Sequence, residues 1–73
     1  MAESGGVVKI IELVGVSSES FSAAVRNAVA ESSKTIRGIT GADVVSMSCE
    51  VEGDRITEFR TTVNIAFAIE RDG

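Results

Sequence analysis

Every second residue from Phe59 to Ile69 is apolar or β-branched: Phe59, Thr61, Val63, Ile65, Phe67 and Ile69. Side chains alternate across a strand, so this set shares one face, and its residue types suit a pleated, half-buried surface. The opposite face reads Arg60, Thr62, Asn64, Ala66 and Ala68, all small or polar apart from the one arginine. One face therefore belongs to a core. The other must meet something that tolerates small and polar groups, and function turns on what that is.

The chain has 73 residues, enough for a single domain over 1–73. A domain of this size buries only about 60% of its extended-chain surface, which leaves a lone core marginal. Disulfides and metals are the usual supplements. A single cysteine, Cys49, forms no internal disulfide, and there is no histidine for a Cys/His metal site. Self-association is the remaining supplement.

The net charge of −4, with three Phe and no Tyr or Trp, lacks the basic, aromatic footprint of a nucleic-acid binder. No apolar run approaches the roughly 20 residues that span a bilayer, so no membrane partner is expected. The first residues lack the basic and apolar regions of a secretory signal, so a cytoplasmic protein is the expectation.

Taken in order, residues 1–6 are small and polar and expected to fray. Val7 to Val14 reads as a first strand with apolar residues on both faces. Gly15 to Glu19 reads as a turn into a helix, with Ser17 or Ser18 as cap and Glu19 in the first turn. Phe21, Val25, Ala28, Val29, Ser32 and Ile36 recur at helical spacing, which predicts a helix over about 18–37. Lys34 and Arg37 then fall in its last turns, and Gly38 stops it. Residues 39–41 connect to a second strand over 42–52. Residues 52–55 form a hairpin turn with Gly53 at a positive-φ position. A third strand runs from about 56 to 70.

The order β-α-β-β predicts an α+β fold: a three-stranded antiparallel sheet, the longest strand central, one helix on one face. Nothing remains in the chain to cover the other face, although the first strand is apolar on both sides. A second copy is the economical cover.

This chain resembles the dodecin family. Leu13-Val14-Gly15-Val16-Ser17-Ser18-Glu19-Ser20-Phe21 is similar to the family's G-T-S-x-E-S-F lead into its helix. Ala23-Ala24, Ala28 and Thr35-Ile36-Arg37 match its helix end, and Asp43-Val44 matches the acidic residue and valine after the second connector. Phe59 to Phe67 is similar to its last strand, including a closing V/I-x-F. The resemblance implies a hollow homododecamer and a flavin bound between subunits. Two departures count against retained flavin binding. The family's flavin-stacking tryptophan corresponds to Gly41, and the glutamine that bonds the ring's polar edge corresponds to Arg60. Aromatic stacking is worth roughly 1–3 kcal/mol per ring in comparable nucleobase sites, so its loss is large. The pattern is closer to the Trp-less branch, in which a calcium-binding dodecin is known.

The resemblance assigns Gly41, Asp43, Ser46 and Arg60 to the former ligand pocket. Arg60 reads either as a contact for phosphate or carboxylate or as an inter-subunit ion pair with Asp43, Glu50 or Glu58, the second being favoured. Glu19 reads as a helix-cap carboxylate first and as a Ca²⁺ or Mg²⁺ ligand second, in a site shared between copies. Cys49, without a histidine to activate it, reads as a small core residue. No acid–base pair stands at catalytic spacing, so an enzyme is not expected. The resulting expectation is a self-assembling store for a small molecule or ion. A changed mode of flavin binding or a divalent cation is the alternative.

Overall fold

A computed structural model describes residues 6–69. The expected fraying of residues 1–6 lies almost wholly outside that range, as does Glu70, where the third strand was expected to end. Four elements follow in order: β1 (Val8–Ser17), α1 (Phe21–Ser33), β2 (Ile39–Glu52) and β3 (Arg55–Ala68). The sheet order is β1-β3-β2, with β3 central and antiparallel to both neighbours. The α+β fold, the strand directions and the helix on one face are those expected from the sequence.

The helix side of β3 is the core. Thr61, Val63 and Ile65 are 0% exposed. Ile11 and Leu13 of β1 and Val25 and Val29 of α1 pack against this centre with Ala28. The Thr61 hydroxyl donates to the Phe21 carbonyl at 3.3 Å, so its burial leaves no unpaired polar group. The Phe21 and Phe59 rings meet edge to face at 4.9 Å between centroids.

The boundaries differ from expectation for identifiable reasons. Gly15 was expected in a turn, but β1 continues through it to Ser17. A Cβ on Gly15 would lie 1.9 Å from the Ala24 carbonyl oxygen, so only glycine lets strand and helix cross this closely. The helix starts later, capped by Ser20 rather than Ser17 or Ser18. The Ser20 Oγ accepts from the Ala23 N–H at 3.0 Å. Glu19 consequently precedes the helix instead of sitting in its first turn.

The helix also ends earlier, at Ser33. The hydroxyls of Ser32 and Ser33 donate back to the carbonyls of Ala28 and Ala30, competing with helical bonding. Lys34 is the C-cap and Arg37 lies beyond, so neither is in the last turn. Gly38, at φ +76°, bends the chain into β2 rather than ending the helix.

β2 begins at Ile39, three residues earlier than expected, because an irregularity between Ile39 and Gly41 lets the connector join the sheet. A second irregularity, between Val44 and Ser46, interrupts the strict alternation of a regular strand. Val44 stands opposite Val63 on the helix side, with Met47 and Cys49, while Ser46 and Ser48 face outward opposite Thr62 and Arg60. β3 ends at Ala68, so Ile69 leaves the packed series and remains exposed. The hairpin turn is as expected, with Gly53 at φ +65°.

At 1.5 Å per residue, the 13 residues of α1 cover roughly 20 Å. The 14-residue strands reach about 46 Å. The helix lies over β1 and β3, and β2 stays bare on its helix side, with Met47 59% exposed. Cys49 is exposed as well, not a core residue of the single chain. The outer face of β1 exposes Val8, Ile10, Val14 and Val16.

Candidate functional site

The four residues assigned to the former pocket all lie on the outer face. Gly41 stands opposite Ala66, Asp43 opposite Asn64, and Ser46 opposite Thr62, while Arg60 lies between Val16 and Ser48. They are strung along the sheet. Six residues of β3 separate the Gly41 level from Arg60, roughly 20 Å at strand rise. One chain therefore aligns these residues on a face without closing them into a pocket.

The Gly41 end is flat. At that level the sheet reads Ile10, Ala66, Gly41, and at the next outward-facing level Glu12, Asn64, Asp43. A Cβ on Gly41 would meet no heavy atom within 4 Å, so a larger side chain would fit. Gly41 itself offers no ring on which a planar ligand could stack.

The Arg60 end is charged. The hairpin turn alone would place Thr57 opposite Glu50, but an extra residue on β3 shifts the register and puts Glu58 there instead. Like charges directly opposite repel. Arg60, two residues along on the same face, relieves this. Its Nε donates to Glu58 Oε2 at 2.6 Å, and an Nη lies 2.8 Å from Glu50 Oε2. The hydrogen bond that Arg60 donates to Glu58 and the charge of Glu50 raise the Arg60 pKa above its ordinary value, so the guanidinium is charged at any working pH. The expected ion pair is thus formed, but inside one chain rather than between subunits, and with Glu50 and Glu58 rather than Asp43.

Glu19 lies elsewhere. With Ser17, Ser18, Asn27, Thr57 and Glu58 it lines an open cleft of about 490 Å³ beside the start of α1. The Ser17 Oγ accepts from the Glu19 N–H at 2.9 Å, which fixes the turn. Asn27 ties helix to strand by donating to the Val16 carbonyl at 2.8 Å. No group of three or more Cys, Asp or Glu residues is placed to hold a metal among the described residues. Among these residues, no helix is long and apolar enough to cross a membrane.

Sequence reasoning missed two features here. The Gly15–Ala24 crossing left only a glycine as its trace. The pairing of Glu50 with Glu58 depends on a bulge that no local pattern announces.

A family model described as Dodecin matches residues 7–70. The chain belongs to the dodecin family. Solved dodecins share its fold closely. The dodecin of Streptomyces coelicolor is 26% identical at a TM-score of 0.89, over 96% of this chain and 100% of that one. A Thermus thermophilus protein is 29% identical at 0.88, over 93% and 100%. A T. thermophilus dodecin with a tryptophan-to-phenylalanine substitution is 30% identical at 0.87, over 92% and 100%. That dodecin naturally carries a tryptophan, and this chain has none. A search of curated protein sequences finds no match.

Proposed function

We propose that this dodecin is a self-assembling, non-enzymatic binding protein. Further copies cover the outer face of its sheet in a hollow homododecamer, and a small ligand is held between them. The exposed row of Val8, Ile10, Val14 and Val16 on an otherwise complete fold carries the proposal. A chain this small gains stability by burying such a row. The flavin recognition of the family is altered here, because Gly41 provides no stacking ring and Arg60 is held by Glu50 and Glu58.

Titration of riboflavin, FMN and FAD, followed by flavin fluorescence, tests this reading. Binding weaker than micromolar is expected, and a colourless purified protein. Micromolar or tighter quenching would show that the family site survives by a changed mode.

A divalent cation is the second reading, favoured by Glu19 and Glu58 lining one cleft. Calcium takes six to eight oxygen ligands, so two carboxylates from one chain need others from a neighbouring copy. Calorimetry with Ca²⁺ and Mg²⁺ tests it, and an unchanged heat in Glu19→Gln removes Glu19 from any such site.

A further inference from the structure

The two free edges of the sheet differ. β2 carries three register shifts in its pairing with β3, which blunt an edge against further strands. β1 keeps one uninterrupted register with β3 over its ten residues. The Val7 carbonyl accepts from the Ile69 N–H at 2.9 Å, so Val7 and every second residue after it bond toward β3. The even-numbered residues from Val8 to Val16 therefore turn their N–H and C=O groups to the open side. Asn27 of α1 closes one end by donating to the Val16 carbonyl at 2.8 Å. From Val8 to Val14 the edge stays open. Beside it, strand and helix leave a notch of about 290 Å³, lined by Leu13 to Val16 and by Asn27, Ala28 and Glu31. Glu31 is the one charged residue of that lining. Lys34 takes its Oε1 at 3.1 Å, which leaves Oε2 for another cation. Lys9, exposed on the helix side of β1, makes no ion pair among the described residues.

We propose that β1 pairs antiparallel with β1 of a second copy across a two-fold axis at Ile11, and that Lys9 of each copy enters the notch of the other to meet Glu31. In this register Val8 faces the partner's Val14 and Ile10 faces the partner's Glu12, each pair exchanging two main-chain hydrogen bonds. The partner's Lys9 then stands opposite Leu13 on the helix side, at the mouth of the notch. Its methylene stem lies along the apolar lining and its ammonium reaches the carboxylate. Neighbouring registers are worse. Moving the axis to Glu12 sets that carboxylate against its own copy, and moving it to Ile10 brings Lys9 opposite Ile11, short of the notch. The helices clear one another. The roughly 20 Å of α1 covers about six residues of strand, from Ser17 back to Ile11, so the partner's helix lies beyond the axis. The inference rests on the self-assembly proposed above and deepens it. It names a contact made by main chain at the sheet edge, separate from the outer face.

Particle mass against dilution, by light scattering, reads the charge contact. Lys9→Glu or Glu31→Lys sets like charges in both notches and should raise the dissociation concentration about tenfold at low salt. The double reversal Lys9→Glu/Glu31→Lys restores the pair and should return it to about the parent value. Cross-linking reads the strand register. Ile10 and the partner's Glu12 lie within disulfide reach as a hydrogen-bonded pair. In a Cys49→Ser background, Ile10→Cys and Glu12→Cys chains are dissociated, reassembled together and treated with oxidised glutathione. A disulfide-linked dimer with one chain of each kind is expected. Circular dichroism establishes that each variant keeps the parent fold. Single reversals that associate like the parent, or a double reversal no tighter than the singles, would overturn the Lys9–Glu31 contact. Absence of the mixed dimer would overturn the strand pairing while leaving self-assembly intact. A parent protein that stays monomeric would overturn the self-assembly reading, and the inference with it.

Discussion

The two faces of β3 carry the same backbone and opposite fates. On the helix side, Thr61, Val63 and Ile65 are sealed beneath α1, and the one hydroxyl among them finds a carbonyl. On the other side, Thr62, Asn64 and Ala66 are half-buried at most, in line with exposed valines and an isoleucine of β1. The first face is finished within one chain. The second is finished only by something from outside. The contrast separates what makes the fold from what makes the function, because substitutions on the two faces should fail in different assays.

The sharpest break is expected where strand and helix touch. In Gly15→Val the new side chain collides with the Ala24 backbone, and neither element can shift without uncovering the core. A loss of about 3 kcal/mol or more, up to failure to fold, is expected in urea denaturation. Ile65→Ala should cost about 2–5 kcal/mol by the same measurement, through a cavity under the helix. On the opposite face, Val14→Lys should leave the circular dichroism spectrum of the subunit unchanged while reducing the particle mass measured by light scattering. If Val14→Lys instead unfolded the chain with no smaller folded species, the distinction between the faces would be lost. The mildest change is Arg60→Gln. Its ion pairs are half-exposed, and such pairs contribute little to stability. No measurable change in the denaturation midpoint is expected.

Much of this contrast can be read directly from residues. The alternation from Phe59 to Phe67 marked the core face, since period two translates straight into burial. The β-α-β-β order and the central third strand followed from element lengths and turn signals. Helix ends were less legible, because three serines among the four residues before Phe21 and two after Glu31 offer several equivalent caps and stops. The strand bulges were not legible at all. They are three register shifts in the pairing of β2 with β3, set by how two long strands meet and without a local signature. For the candidate site, the sequence showed that Arg60 departs from the family pattern and named Glu50 and Glu58 among its possible partners. That both partners come from the same chain depended on the register shift.

The central claim is that the outer face of the sheet is an interface between copies of this chain. The mass of the native particle in multi-angle light scattering, at micromolar concentration, tests it most directly. Twelve subunits of 7.6 kDa predict about 91 kDa. A species at the mass of one or two subunits would contradict the claim, and would leave Val8, Ile10, Val14 and Val16 facing water with no account of why they are there.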